Sequence, residues 1–384
     1  MKCLRLTTLF FSAIAALGSG CDDDDDARVR KFTSGNIETI AGSGPANFGY
    51  EGDNGQATLA KLGWITAVAV DSHENIYFTD GAANVVRKVA SDGIVKTIAG
   101  TFIGFNQINN TPYAGDGDLA TSAHLNIPYS IAVAADGNVI IADAGNNAVR
   151  EISSATGTIS TVAGKGPGWS GFAGDGGSAA QSLVWNPHNV AYDKLGNIYI
   201  ADTQNNAIRM IEKSTGKIST LAGLGPSSPG YSGDNGQATS AAINSPEGIA
   251  IDKNGDIYFS DGGNNVIRKI SNGVITTIAG TGGMGYSGDD GPALNATFYT
   301  IRGLAIDSKN NIYIADASAN VVRMIESESG RIYTVAGTGN AGYAGDGGPA
   351  TEAMLSNPLG IALDSKDNLY IADTNNAAVR VVRP

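Results

Sequence analysis

The stretch Pro246 to Gly280, PEGIAIDKNGDIYFSDGGNNVIRKISNGVITTIAG, contains four short segments in which apolar residues alternate as they do in β-strands. Three turns rich in Gly and Asn separate the segments, at Lys253-Asn254-Gly255, Gly262 to Asn265 and Ser271-Asn272-Gly273. Such residues tolerate positive φ or bond to their own backbone, so they favour tight hairpins. The stretch therefore predicts a four-stranded antiparallel meander.

The same unit recurs along the chain. Each copy has an Asp at the end of its second strand, at Asp80, Asp143, Asp202, Asp261, Asp316 and Asp373. An Arg follows seven residues later, at Arg87, Arg150, Arg209, Arg268, Arg323 and Arg380. Self-similarity at a spacing of 55 to 63 residues indicates a repeat architecture of six units.

The ends of the chain are offset from the repeat. The chain stops just after the third strand of its last unit, whereas Asn36 to Gly42, NIETIAG, is a fourth strand with no unit in front of it. We therefore predict that Ile37 to Ala41 pairs with Ala378 to Val382 and completes the last unit.

Composition agrees with one closed array. The 384 residues include 52 glycines, which the repeated turns explain, and the net charge of −12 provides no basic surface for nucleic acid. We expect a monomer with no nucleic-acid partner.

The N-terminus predicts export. Lys2 and Arg5 precede an apolar run from Leu6 to Leu17 that is too short to span a bilayer, so residues 1–20 are interpreted as a signal peptide. Gly18-Ser19-Gly20-Cys21 resembles a bacterial lipoprotein signal, which implies lipidation of Cys21 and a membrane anchor at the cell envelope; ordinary cleavage is the alternative. Residues 21–31, with acidic residues from Asp22 to Asp26, are expected to form a tether.

The strings TIAGTG, GYSGDGGPA, NIYIAD and NNxVRxI recur from residue 32 onward, and together they resemble the NHL-repeat family. That resemblance implies an all-β fold, a six-bladed β-propeller over residues 32–384. Function is left open by the resemblance, because such propellers include binding modules, scaffolds and a few enzymes.

Several strings look like sites but are interpreted as structure. Residues 280–285 and 337–342 match GxGxxG without the βαβ unit that a dinucleotide fingerprint requires. Residues 252–256 resemble the start of a calcium loop but are expected to be a hairpin turn. Six loops contain Gly-Asp, as GDxG in five copies and as GDGD at residues 115–118, and the Asp of each is predicted to be a helix N-cap. The repeated Asp and Arg are predicted to pair across strands, weakly where exposed.

A residue that every blade repeats serves every blade, whereas a ligand site is needed once. The position just after the start of each innermost strand differs in all six copies: Thr66, Tyr129, His188, Glu247, Arg302 and Leu359. We expect these side chains to form one ring at the mouth of the central channel. Tyr129, His188, Glu247 and Arg302 are the candidate binding residues, and a polar plug of the channel is the alternative.

Peptidyl-hydroxyglycine amidating lyases are similar propellers with zinc-binding histidines directly after such prolines. Pro187-His188 matches that motif, but the other five positions carry no His. His188 with Glu247 could still hold a divalent metal such as Ca²⁺ or Zn²⁺.

Three functions are therefore carried forward. The first is a binding or scaffold module for a protein, peptide or glycan on the loop face, on or near which Phe102, Phe105, Tyr113, Trp169, Phe172, Tyr231, Tyr286 and Tyr343 lie. The second is a metal-dependent enzyme of the lyase or lactonase type with its site at the channel mouth, and the third is a purely structural surface protein. Some of the aromatic residues recur between copies and must serve packing.

Overall fold

Six four-stranded antiparallel sheets form in the residues that the computed structural model describes, 35–105 and 113–383. The predicted signal peptide, Cys21 and the acidic tether lie outside these residues. The first strands of all six sheets line one central channel, so the sheets are the blades of a six-bladed β-propeller, as predicted.

We number the blades I to VI by their first strands. Blade I contains β2 Ile65–Val70, β3 Ile76–Asp80, β4 Val85–Val89 and β5 Val95–Ala99. Blade II contains β6 Pro128–Val133, β7 Val139–Asp143, β8 Ala148–Ile152 and β9 Ile159–Ala163. Blade III contains β10 Asn189–Tyr192, β11 Ile198–Asp202, β12 Ala207–Ile211 and β13 Ile218–Ala222.

The second half of the ring repeats this order. Blade IV contains β14 Pro246–Ile251, β15 Ile257–Asp261, β16 Val266–Ser271 and β17 Val274–Ala279. Blade V contains β18 Ile301–Ile306, β19 Ile312–Asp316, β20 Val321–Ile325 and β21 Ile332–Ala336. Blade VI contains β22 Pro358–Leu363, β23 Leu369–Asp373, β24 Ala378–Arg383 and the N-terminal strand β1 Asn36–Ala41.

The helical elements of the described residues are three-residue 3₁₀ turns. Six lie in the connections that lead to the inner strands: Ala57–Leu59, Ala120–Ser122, Ala179–Gln181, Ala238–Ser240, Ala293–Asn295 and Ala350–Glu352. Five lie between the second and third strands: Ala144–Asn146, Thr203–Asn205, Gly262–Asn264, Ala317–Ala319 and Thr374–Asn376. One more, Pro45–Asn47, follows β1. Within the described ranges, no helix has the length and apolar character needed to cross a membrane.

Ring closure follows the predicted pairing. β1 is antiparallel to β24, with Ile37 opposite Val382 and Ala41 opposite Val379. Ile37 and Ala41 are fully buried, so the N-terminal strand contributes to the core as well as to the sheet. The closure joins the two ends of the propeller and leaves the last blade with four strands.

The core lies between blades. Apolar side chains of one blade pack on the next, as Tyr199 and Ile208 of blade III do with Ile249 and Phe259 of blade IV. Because each blade packs between two neighbouring blades, both faces of its sheet are buried. Side chains that alternate between the two faces therefore both lie in the core.

A left-handed residue ends each turn between the second and third strands. It is Asn at Asn84, Asn147, Asn206, Asn265 and Asn320, with φ between 49° and 57°. Blade VI has Ala377 there, at φ 49°. Asn tolerates this conformation far better than Ala, so Ala377 is strained relative to its counterparts.

Candidate functional site

The repeated Arg of each blade is the centre of a buried cluster. All six of these Arg side chains and the Asp that ends the second strand in each blade are fully buried. In blade III, Arg209 Nη2 donates to Asp175 Oδ1 at 2.6 Å and Nη1 donates to Asp202 Oδ2 at 3.1 Å. In blades II, III, IV and VI the repeated Arg lies within 4 Å of the Asp that ends the second strand, so the predicted cross-strand pair is there an interior ion pair.

The GDxG aspartates are these arginines' partners, so their prediction as helix N-caps is wrong. Asp53, Asp116, Asp175, Asp234, Asp289 and Asp346 each accept a bond from the Nη2 of the repeated Arg. No side-chain oxygen caps the 3₁₀ turn that follows each of these loops. A buried guanidinium competes for the carboxylate more strongly than a short turn does.

An aromatic ring covers each repeated Arg. The Arg carbon Cζ lies between 4.9 and 5.7 Å from the ring centroids of Tyr50, Tyr113, Phe172, Tyr231, Tyr286 and Tyr343. These are cation–π contacts in the scaffold. Five of the loop aromatics that we considered for recognition are thus packing residues.

The repeated Asp also positions the chain at the channel mouth. In blade III the Trp185 N–H donates to Asp202 Oδ1 at 2.8 Å, and in blade V the Tyr299 N–H donates to Asp316 Oδ1 at 3.1 Å. Both residues lie in the connections that lead into the inner strands, four residues before β10 and two before β18. The scaffold cluster therefore fixes the backbone from which the mouth side chains project.

The structure brings the six non-repeated side chains together around one small pocket. Thr66, Tyr129, His188, Glu247, Arg302 and Leu359 all line it, and its volume is about 20 Å³. Close approach of the inner strands makes the ring tight, because a Cβ on Gly248 would lie 2.3 Å from the Arg302 carbonyl oxygen. Whether this ring binds a ligand remains a prediction.

Four of the six side chains form a continuous chain across blades II to V. The Tyr129 and His188 rings are stacked with centroids 4.1 Å apart. His188 Nδ1 is 2.5 Å from Glu247 Oε2, and Arg302 Nη1 donates to Glu247 Oε1. Thr66 and Leu359 complete the ring on the other side and are buried.

The hydrogen bonds around His188 define its neutral tautomer. Asn186 Nδ2 lies 2.8 Å from His188 Nε2, so Nε2 accepts from the amide while Nδ1–H donates to Glu247. Asn186 is itself held by its backbone N–H, which donates to Asn147 Oδ1 at 2.9 Å. Both ring nitrogens of His188 are therefore occupied.

The network sets the charge of the pocket. Burial by itself raises the pKa of Glu247, but the hydrogen bond from His188 and the neighbouring Arg302 guanidinium more than offset it, so this pKa lies below its ordinary value. Burial raises the pKa of Tyr129 to about 12, with Glu247 acting in the same direction and Arg302 against it. The phenol therefore keeps its proton at neutral pH.

A metal site at His188 and Glu247 gains no support from this geometry. A metal would have to displace Asn186 or Glu247 from His188, and Arg302 already occupies the other Glu247 oxygen. Within the described part of the chain, no group of three or more His, Cys, Asp or Glu side chains is placed to hold a metal ion.

The other two histidines lie away from the mouth. His73 is exposed in the turn between β2 and β3. His124 is only partly buried, and its carbonyl accepts from Arg150 Nη1 at 3.3 Å, so it belongs to the scaffold rather than to an open surface.

Exposed aromatic residues near the mouth were missed by sequence reasoning. Trp64, Trp185 and Tyr299 lie one, four and two residues before their inner strands and are 51%, 40% and 44% exposed. The chain has three tryptophans, and the third, Trp169, is 59% exposed on the loop between blades II and III. A comparison of the six repeat units at these positions, and not at the channel-ring position alone, would have identified these aromatic residues.

A second aromatic group lies on the loops that flank blade I. The Phe48 ring is 6.2 Å from Trp64 and 5.4 Å from Phe105, and Phe105 is 5.0 Å from Phe102. Phe48 is 44% exposed. Phe102 and Phe105, unlike the recurring aromatics, thus stay candidates for recognition.

Comparison with known proteins agrees with the repeat structure. The Teneurin NHL domain family matches residues 224–287, and the NHL repeat family matches residues 355–382. Mouse teneurin-1 is 30% identical over 263 residues, which are 63% of this chain and 9% of teneurin-1. The chloroplastic protein SUPPRESSOR OF QUENCHING 1 of Arabidopsis thaliana is 27% identical over 278 residues, 70% of this chain and 26% of that protein. The chain thus spans only a small part of these relatives.

Solved structures show the same architecture. An auxiliary nutrient binding protein from Bacteroides thetaiotaomicron superimposes with a TM-score of 0.66 at 15% identity, covering 91% of this chain and 76% of that one. At this identity the likeness concerns the fold. The chain is a six-bladed β-propeller in which residues 355–382 match the NHL repeat and residues 224–287 match the Teneurin NHL domain.

Proposed function

We propose that this protein is a binding module of the bacterial cell envelope that recognises a partner on its loop face. The observation that carries the proposal is the exposure of all three tryptophans, between 40% and 59%, on that face. A tryptophan left half exposed forgoes the burial that stabilises cores, and such residues are enriched where partners bind.

Two further observations support a binding role. Exposed Trp64, Trp185 and Tyr299 come two or three residues before Thr66, His188 and Arg302 of the ring, so aromatic and hydrogen-bonding side chains share the same connections. The structural neighbour from Bacteroides thetaiotaomicron is described as an auxiliary nutrient binding protein. A peptide or glycan with flat apolar faces and polar edges would suit such a surface.

Anchoring is part of the same proposal. Residues 1–20 would direct export, Cys21 would carry the lipid, and residues 21–31 would act as a tether between the membrane and the propeller. Cys21→Ser should then release the protein from membranes, and mass spectrometry of an unmodified Cys21 in the membrane fraction would overturn the anchor.

The test of the binding role is a screen of the purified protein against peptides and oligosaccharides, with tryptophan fluorescence as the readout. We expect Trp185→Ala to weaken binding of any hit at least tenfold, since aromatic hot spots typically contribute about 2 kcal/mol or more. The matched control is Leu195→Ala, which removes a side chain 71% exposed in the hairpin between β10 and β11, at the other end of the inner strand. Equal effects of the two substitutions would contradict the proposal.

A further inference from the structure

In the pocket at the channel mouth, the carboxylate, imidazole and amide acceptors are hydrogen-bonded within the protein, whereas several donors are not. Both Glu247 oxygens are bonded, to His188 and Arg302, and His188 Nε2 is bonded to Asn186. Asn189 Oδ1 accepts from the Ile249 N–H at 3.3 Å. The carboxylate, imidazole and amide acceptors that face this pocket are therefore satisfied within the protein, and the Tyr129 hydroxyl can donate as well as accept.

Four donors of the pocket side chains have no partner among the described residues. They are Nε and Nη2 of Arg302, Nδ2 of Asn189 and the hydroxyl of Tyr129, and all three residues line the pocket. Tyr129 keeps its proton at neutral pH, so it can donate. A ligand group that complements these side chains must be an acceptor.

The repeated arginines of the blades show which partners a buried guanidinium has in this protein. Arg209 pairs with two carboxylates, Asp175 at 2.6 Å and Asp202 at 3.1 Å, and Arg268 pairs likewise with Asp234 at 2.6 Å and Asp261 at 3.6 Å. In every blade Nη2 of the repeated Arg binds a loop carboxylate. Arg302 has one carboxylate, on Nη1.

We propose that the channel-mouth pocket binds a carboxylate of the ligand, which takes the place on Arg302 Nη2 that a loop Asp takes on the scaffold arginines. Tyr129 and Asn189 donate to the same group, while Glu247 holds the guanidinium in place. This inference rests on the proposed binding function and names the chemical class that the site recognises.

The size of the pocket selects a small planar group. Its volume of about 20 Å³ is enough for one or two oxygen atoms, since a single water needs about 10–15 Å³ by the same measure. A carboxylate can insert its oxygens while the rest of the ligand lies over Trp185 and Tyr299. A bulkier tetrahedral phosphate fits less well.

The probe is acetate, with acetamide as the uncharged counterpart of the same shape and inorganic phosphate as the alternative anion. The purified protein carries ¹³C-labelled histidine and tyrosine, and its three histidines keep the His188 ring signals simple to assign. We expect acetate to shift the His188 and Tyr129 signals with an affinity at least tenfold higher than that of acetamide or phosphate. Equal affinities for acetate and acetamide, or stronger binding of phosphate, would overturn the carboxylate assignment.

Two substitutions locate the binding group. Arg302→Met should abolish the acetate-induced shifts. Arg331→Met should leave them unchanged, because Arg331 is an exposed residue directly before β21. Tyr129→Phe keeps the ring that stacks on His188 and should weaken acetate about tenfold, the usual loss for one hydrogen bond to a charged group. Tyr129→Phe keeps the proposal testable if Arg302→Met does not fold, and unchanged acetate binding in either folded variant would refute it.

The experiments distinguish failure of the carboxylate pocket from failure of the binding function. If a peptide or oligosaccharide hit still depends on Trp185 while acetate has no effect, the loop face binds its partner without a carboxylate pocket. If neither effect is seen, the binding function fails as well.

Discussion

The scaffold cluster of each blade and the ring at the channel mouth are built from similar residues but differ in repetition and in completeness. The six scaffold arginines are fully buried, each on a loop carboxylate and under an aromatic ring. Arg302, in contrast, is 26% exposed, has one carboxylate and occurs once. The same chemistry thus stabilises the blades where it is repeated and satisfied, and is available to a ligand where it is unique and partly unsatisfied.

The largest effect is expected from ring closure, which both regions need. Deleting residues 32–42 removes β1, leaves an open edge on β24 and exposes the core around Ile37. The loss in free energy of unfolding should exceed the roughly 2–5 kcal/mol of a single core truncation to Ala. Thermal unfolding measures it, with deletion of residues 22–31 as the control, and an unchanged melting temperature would contradict closure by β1.

Sequence reasoning predicted the fold because its signals are local. Alternation such as Ile257 to Phe259 recurs in each copy, and turns with Gly such as Ser271-Asn272-Gly273 recur in the first five. The offset of the repeat predicted the β1 pairing. Sequence reasoning also predicted correctly that Tyr129, His188 and Glu247 lie in one ring, because the innermost strands of a propeller begin at one face.

The failures concern contacts that no local pattern specifies. Asp175 meets Arg209 across 34 residues, from a loop that folds back on its own blade, so its position before a turn suggested an N-cap instead. Trp185 lies in a connection whose backbone is held by a hydrogen bond to Asp202. This role of Asp202 can be recognised only from the structure, in which the Asp faces the channel mouth.

A smaller effect links the repeated Asp to pH. Burial raises the pKa of Asp202 to about 6, whereas an unfolded Asp titrates near about 3.9. The folded state therefore binds this proton more tightly, and the stability that the carboxyl contributes is largest below about pH 4 and is lost as the pH rises through about 6. Asn has no such proton, so Asp202→Asn should cost more free energy of unfolding at pH 4 than at pH 7. Urea unfolding at both pH values measures this, and a cost that grows with pH would show that the scaffold Asp is preferentially ionised in the fold.

The smallest effect uses the one blade that departs from the repeat. Ala377 holds a left-handed conformation that Asn holds in five blades, and Asn84 and Asn147 use their side chains to accept the N–H of the next blade's Ile127 and Asn186. Ala377→Asn should therefore stabilise the protein by about 0.5–1 kcal/mol. Calorimetry checks it, and a loss of stability would mean that the buried space at residue 377 does not admit the amide.

The central claim is that repeated residues carry stability and the unique ring carries recognition, and the free energy of unfolding of two matched substitutions tests it most directly. Arg268→Met removes a fully buried guanidinium that serves Asp234, Asp261 and the carbonyls of Ser232 and Ala242. It should cost about 3–5 kcal/mol, as expected when a buried charge loses its partner. Arg302→Met removes a partly exposed group with one carboxylate and should cost less than half as much. Equal losses, or a larger loss at Arg302, would show that the mouth ring is a structural plug and would contradict the account.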